Sequence, residues 1–391
     1  MFDQAKIDQL YPHWVQLRRA FHREPELAFE EVETAKKIMA ELERLEIPYQ
    51  YHGKGGGVIG MIDDAASPQS PTIALRADMD ALPGEEMTGL PFSSSIPGKM
   101  HACGHDAHMT MLLGAAALLK DSPPPGKVLL VFQPAEERGG GARVILGSGV
   151  LKGARAIFGG HVTHHYRVGE IMVGEGIVTA HSDSFSITVL GRGGHGARPH
   201  EAIDAVVIAG FLITALQTLI SRESDPLHPS VVTIGSVHAG SAPNVIAAKA
   251  QLQGTIRTTQ PDARGHIHDG LRRMVNAVAE LHRAEIELEI REGYPPIINS
   301  PVETAIARRA VIETAGRQGL VPMEHPSMGS EDFAFYLREI PGCYVRFGAR
   351  RHEGEYIPLH SPLFDINEEV LKVGAAYFAR VAWEAFLKYG C

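Results

Sequence analysis

The sequence predicts an α/β chain interrupted by an α+β insertion, and three observations carry that prediction. Short apolar runs at 72–75, 127–132 and 156–158 alternate with a longer helical run at 107–120, the strand–helix–strand order of a parallel sheet buried on both faces. Between 182 and 294 the pattern changes to β-α-β-β-α-β with alternating strands, the split-βαβ order of a ferredoxin-like unit. At 391 residues the chain exceeds one ordinary hydrophobic core. The expected division is an outer domain built from 1–181 and 295–391, with 182–294 inserted between its two parts.

Bulk properties exclude several functions. A composition of 44% hydrophobic and 21% charged residues is that of a soluble globular protein. The formal charge of -9 argues against a polyanion-binding surface, so nucleic acid is discounted as a partner. The opening Met-Phe-Asp-Gln-Ala-Lys-Ile-Asp has neither the basic region nor the apolar core of a signal peptide, and no later apolar run approaches ~20 residues. No membrane association is expected. Cys103, Cys343 and Cys391 are an odd, sparse set unlike a disulfide framework, which points to the cytoplasm. The 20 histidines cluster near 101, 161 and 195–200.

In chain order, residues 1–46 read as two amphipathic helices. Leu10, Trp14, Leu17 and Phe21 form one stripe; Ala35, Ile38, Met39, Leu42 and Leu45 form the other. They are read as packing without chemistry. Gly55 to Gly60 matches G-x-G-x-x-G but leads into a short strand, whereas a dinucleotide loop must open a helix. The strand from Thr72 runs into Asp78-Met79-Asp80. Aspartates two apart share one side of a sheet, and Asp80 suits a carboxylate that orients a metal-binding histidine. The alternative is two solvated turn residues before Pro83.

Met100 to Leu112 crowds His101, Cys103, His105, Asp106 and His108 into nine positions ahead of the helical run. Thiolate, imidazole and carboxylate bind borderline divalent metals, and Cys103 and His105 can face one point if the backbone is extended. The positive end of the following helix would favour the Cys103 thiolate. The competing reading is a chance cluster in which Asp106 is an N-cap and Cys103 a buried thiol. The strand at 127–132 ends in Gln133-Pro134-Ala135-Glu136-Glu137. Adjacent carboxylates at a strand end repel, so a cation is expected nearby, and one can ligate while the other takes a proton. His161 again closes an apolar strand, with Gly159 and Gly160 letting the backbone approach a site. His164 and His165 are left as either pocket or surface residues.

In the insert, Gly191 to Gly196 places His195 on an exposed, mobile loop suited to a catalytic arm. Asn244 sits in a turn between two strands, and Arg257 ends the second. An arginine fork fits a carboxylate, and a turn asparagine can donate to one, although turn formation alone also explains Asn244. Beyond the insert, Met328 to Phe333 leads into a helix, and His360 lies in a loop before a closing amphipathic helix at 368–388.

Together these pieces resemble the M20 peptidase/amidohydrolase family, in its aminoacylase, hippurate and auxin-conjugate hydrolase branch. The resemblance rests on Arg76-Ala-Asp-Met-Asp-Ala-Leu-Pro83, His101-Ala-Cys-Gly-His-Asp-Ala-His108, Phe132-Gln-Pro-Ala-Glu-Glu137, Gly193-Gly-His-Gly-Ala-Arg-Pro-His200, Ala242-Pro-Asn-Val-Ile246, Gly254-Thr-Ile-Arg257 and Gly329-Ser-Glu-Asp-Phe333. It implies a mixed-sheet, zinc-exopeptidase-like catalytic domain and an insert that serves as lid and dimerisation domain. It also implies metal ligands at Cys103, His105, Glu137, His161 and His360, with Glu136 as general base. Related metallopeptidases carry His-x-Asp where this chain has Asp78-Met79-Asp80, so Asp78 is not assumed to ligate. Thr163-His164-His165 replaces the branch's usual Trp-Pro, and His238 is also unusual.

The expected reaction is hydrolysis of an N-acyl (acetyl, benzoyl or similar) amino acid, or of a short peptide, with one or two divalent ions. Zinc is favoured by affinity order, and manganese, cobalt or nickel also suit the donors. His195, from its own or a partner subunit, would donate to the oxyanion. Asn244 and Arg257 would hold the substrate carboxylate, and a homodimer or homotetramer is expected. The rivals are a carboxypeptidase or dipeptidase with the same residues, and a metal-binding module without catalysis, against which the retained Glu136–Glu137 pair argues. The chain has no G-x-S-x-G and no H-E-x-x-H.

Overall fold

The computed structural model describes residues 3–64, 70–351 and 356–390, so Cys391 lies outside the described residues. The chain forms two compact units. Unit 1 comprises Met1–Val178, Ile297–His325 and Glu331–Cys391; unit 2 comprises Thr179–Pro296 and Pro326–Ser330. Each has its own hydrophobic core. The short segment Pro326–Ser330 joins unit 2 through a bridge between Thr179 and Ser327 and a hydrogen bond from Ala180 N to Gly329 O at 3.1 Å.

Unit 1 is α/β with an eight-stranded mixed sheet. Its centre is four parallel strands in the spatial order Lys127–Gln133, Thr72–Asp78, Ala154–Arg167 and Gly342–Arg350. These strands are almost wholly buried, which is why their sequences read as apolar runs rather than alternations. Lys127–Gln133 and Ala154–Arg167 flank Thr72–Asp78 on opposite sides, and ligand sites form outside the carboxyl ends of strands where connections diverge in this way. The helix His105–Asp121 is buried from His105 to Leu119, as expected of a helix apolar on all sides. The predicted stripes are recovered in the helices Gln4–Arg23 and Val32–Arg44, where Trp14, Phe21, Ile38 and Leu42 are buried.

Unit 2 is a four-stranded antiparallel sheet in the order Ser230–Ala239, Lys249–Thr258, His181–Leu190, Glu285–Tyr294. The helices Ala205–Thr218 and Pro261–His282 supply Ile208, Leu212, Leu216, Ile267, Leu271 and Val275 to its core. This is the ferredoxin-like arrangement expected from the element order. The helical run Ala205–Glu223, 19 residues of mean hydropathy 1.7, is long and apolar enough to cross a membrane by length and composition, contrary to the expectation of no such run. Its inner face packs on the sheet, and Val206, Val207 and Phe211 remain exposed.

Candidate metal centre

The expected donor residues of unit 1 converge. Donor atoms of Cys103, His105 and His161 lie within 4.8 Å of one another, as do those of Cys103, Glu137 and His360, and those of His105, Glu136 and Glu137. The first two groups share Cys103. His105 donates from Nδ1 to the Asp80 carbonyl at 2.8 Å, and its Nε2 is buried with no hydrogen-bond partner among the described residues. His161 donates from Nδ1 to Val162 O at 2.7 Å and turns Nε2 toward Cys103 Sγ at 3.2 Å. In both rings the outer bond fixes the tautomer and leaves the inner nitrogen as a lone-pair donor. Glu137 Oε1 is likewise buried without a hydrogen bond among the described residues, although His360 Nε2 stands 3.4 Å away. Buried polar atoms left unpaired are costly. The unpaired Nε2 and Oε1, beside a thiol, are the donor set that a borderline divalent cation satisfies.

Asp80 holds this arrangement together. Its Oδ1 and Oδ2 accept from the backbone N–H of Glu136 and Glu137, each at 3.0 Å, while its carbonyl takes the His105 proton. It is a buried clamp on two loops, so the solvated-turn alternative fails. The loop it holds begins at Ala135, whose φ of 52° is left-handed, and His360 is also left-handed at 67°. Non-glycine residues are held in that region only where surrounding structure dictates it. For Ala135 the dictating contact is Glu31 Oε1, which accepts its N–H at 2.8 Å. Burial, with Glu331, Glu137 and Asp332 nearby, pushes the Glu136 carboxyl well above the usual range, the direction that makes it a better base.

Several expectations are corrected. The Cys103–His105 backbone is not extended: His105 already opens the helix, and Gly104, at φ 85°, is its N-cap in place of Asp106. A Cβ on Gly104 would lie 2.4 Å from Val162 Cγ2, so only glycine fits. The helix end does not by itself yield a thiolate, since burial and Glu137 push the Cys103 thiol up. His161 lies inside a strand that continues to Arg167, and Gly159 and Gly160 make room for Phe333 and Phe347 rather than for the site. Asp106 is buried against Arg18 Nε at 2.7 Å and His22 Nδ1 at 2.8 Å, so the first helix carries charge chemistry as well as packing. Asp78, His105 and His108 also cluster. His108, however, uses Nδ1 on Asp78 Oδ1 at 2.6 Å and accepts the Val162 N–H on Nε2 at 2.9 Å, which leaves it no donor for a metal.

Behind Glu136 lies a network that motif reading missed. The buried Arg76 binds Asp78 at 2.6 Å, Asp332 at 2.8 Å, Glu331 at 3.0 Å and Gln133 at 2.9 Å. One guanidinium faces three carboxylates. The available signal was an arginine in the middle of an otherwise apolar strand, Ile73-Ala-Leu-Arg-Ala77. Glu31 was also missed, because a glutamate before a helix is ordinarily solvated. It is buried, Oε2 has no hydrogen-bond partner among the described residues, and burial raises its pKa from 4.5 to about 7. The raised value means the ionised form opposes folding. Metal-free protein should therefore lose roughly 3 kcal/mol of stability from this group as pH rises through about 4.5 to 7. Glu31→Gln should remove that loss, and urea unfolding at pH 5 and pH 8 checks it. Identical pH dependence in the two proteins would refute it.

His195 is exposed and pairs with Val245 in a two-residue ribbon, and Gly196 N donates to Asn244 O at 2.8 Å, so the His195 loop and the Asn244 turn are joined. The expected mobile loop is thus a hydrogen-bonded ribbon. Arg257 is half-buried and donates to Ser330 Oγ at 2.7 Å.

An α/β sheet with a thiol and an imidazole at the start of a buried helix, a second imidazole on a central strand and paired carboxylates just beyond a strand end defines the class of metal-dependent hydrolases. Peptidase family M20/M25/M40 matches residues 74–384. The chain is similar to the IAA-amino acid hydrolase ILR1-like 4 of Arabidopsis thaliana, with 39% identity covering 98% of this chain and 88% of the relative. It is similar also to the N-acetylcysteine deacetylase of Bacillus subtilis, with 40% identity covering 94% of this chain and 95% of that one. The crystal structure of the Bacillus subtilis YXEP protein, described as a dinuclear metal binding peptidase from the M20 family, superimposes with a TM-score of 0.83 at 37% identity, covering 97% of this chain and 99% of that one. The chain belongs to the M20/M25/M40 family and is a metal-dependent hydrolase.

Proposed function

We propose that the protein hydrolyses the amide bond of N-acyl amino acids, releasing a carboxylic acid and a free amino acid. The observation that carries this reading is Glu136, held beside the Cys103-centred donor groups by Asp80 yet belonging to neither of the two groups that share Cys103. The names of the similar hydrolase and deacetylase support the substrate class. One or two divalent ions of zinc, manganese, cobalt or nickel, held by Cys103, His105, Glu137, His161 and His360, would polarise the scissile carbonyl and acidify water. Glu136 takes the proton of the attacking water and passes it to the leaving nitrogen as the C–N bond breaks. Asp80 keeps His105 in its ligating tautomer and fixes both glutamates. His195, from this chain or a partner subunit, would donate to the oxyanion, and Asn244 and Arg257, again from either, would hold the substrate carboxylate.

The reading includes a homodimer or homotetramer built through unit 2 and a cytoplasmic location. Val206, Val207 and Phe211 are 46%, 57% and 48% exposed on one helix. The edge strand Ser230–Ala239 bears no Asp, Glu, Lys or Arg, whereas the opposite edge carries Glu285, Glu287 and Glu289, charges that discourage pairing.

The test is amine release by metal-loaded protein from N-acetyl, N-benzoyl and long-chain N-acyl amino acids beside dipeptides, with chelator-treated protein as control. Preference for acyl amino acids supports the proposal, and preference for dipeptides replaces it with a carboxypeptidase or dipeptidase. Absence of turnover with metal bound returns the protein to a binding module. Sedimentation equilibrium on the same preparation tests assembly, and a monomer removes that part.

A further inference from the structure

We propose that His164 is a positioning residue that sets the backbone carrying His360; the inference rests on the metal site described above. The His360 side chain is 55% exposed, so little packing around the ring fixes it. Its place depends on the backbone on either side, which is left-handed at His360 itself and bonded there through His360 N to Ala102 O at 2.8 Å.

His164 spans that backbone. Its buried ring donates from Nε2 to Asp365 O at 2.7 Å and accepts the Ile357 N–H on Nδ1 at 3.2 Å. One side chain thus ties down residues three before and five after His360. Only the neutral ring with its proton on Nε2 makes both bonds, and with both nitrogens so used His164 is not itself a ligand. The ring also packs on Phe364, with centroids 5.2 Å apart, and Phe364 borders Gly104 between the ligands Cys103 and His105. His164 lies three residues beyond His161 in the same strand, and its carbonyl accepts from Arg350 Nε at 2.8 Å on the neighbouring strand. The sheet is thereby used as the rigid reference for an exposed ligand loop. Groups that orient ligands in this way typically contribute 10–100-fold in metal affinity.

The experiment titrates Zn²⁺ into metal-free protein against a competing chromophoric chelator, alongside the melting temperature of each metal-free protein. His164→Leu, which keeps bulk against Phe364 but removes both hydrogen bonds, is expected to weaken metal binding by about 10–100-fold, with a lower metal-free melting temperature because the Asp365 carbonyl and the Ile357 N–H are left unpaired. His164→Gln, whose amide can still donate to Asp365 O, is expected to fall between that variant and wild type. His360→Ala is the reference. If His360→Ala binds as tightly as wild type, the metal-site reading fails and this inference falls with it. If His360→Ala weakens binding while His164→Leu does not, the inference alone is overturned. Should His164→Leu not fold, hydrogen exchange of the wild-type, metal-free protein decides: a protected Ile357 amide supports the clamp, and exchange at the unprotected rate overturns it.

Discussion

Glu136→Gln is expected to lower turnover of N-acyl amino acids by roughly 10²–10⁴-fold while leaving metal content unchanged. The substitution is nearly isosteric and removes only the capacity to take a proton. Metal content should hold because none of the five proposed ligands, Cys103, His105, Glu137, His161 and His360, is changed, and glutamine keeps a carbonyl oxygen in the group that Glu136 forms with His105 and Glu137. The loop should hold too, since Asp80 grips it through the backbone N–H groups of residues 136 and 137, which the substitution does not touch. Steady-state rates measured with metal stoichiometry on the same sample separate the cases. A rate within tenfold of wild type would remove Glu136 as the base. Loss of metal would make it a ligand instead.

Arg76→Met should destabilise the protein by roughly 3–5 kcal/mol, the range seen when one partner of a buried ion pair is removed. Asp78, Glu331 and Asp332 would stay buried without their shared cation. Compensation is partial: Tyr344 donates to Glu331, and Gln133 Nε2 and Ala142 N donate to Asp332. Urea unfolding measures the change, and a loss below about 1 kcal/mol would show that these hydrogen bonds suffice without the guanidinium. The consequence should reach the chemistry, because Asp78 orients His108 and Asp332 N approaches Glu136 Oε1 at 3.4 Å. Enzyme that remains folded should therefore turn over more slowly, with the five proposed metal donors untouched by the substitution.

How much was legible in advance varied by residue. The stripe through Trp14 and Phe21, the buried strands and the ferredoxin-like order all follow from hydrophobic period, a property of neighbouring residues. The Cys103–His105 and Glu136–Glu137 pairs stood out because such side chains crowd together only at some cost unless a cation is near. Elsewhere local pattern misled. Spacing pairs Cys103 with His105 but does not exclude His108; in the structure His105 Nε2 has no hydrogen-bond partner among the described residues, whereas His108 spends both nitrogens. Asp106 resembles an N-cap and is instead an ion-pair partner of Arg18, 88 positions away.

Secondary structure, the two-core organisation and the inventory of chemically active groups were thus determined by the sequence itself, because each depends on residue type and spacing along the chain. The tertiary structure alone decided which way each histidine points its lone pair, which carboxylate is neutralised, and which loop residue is held left-handed. Those outcomes depend on burial and on partners such as Arg76 and Asp332, 256 positions apart. The direction of a hydrogen bond is set by whatever long-range packing brings to face it, and local spacing carries no record of that.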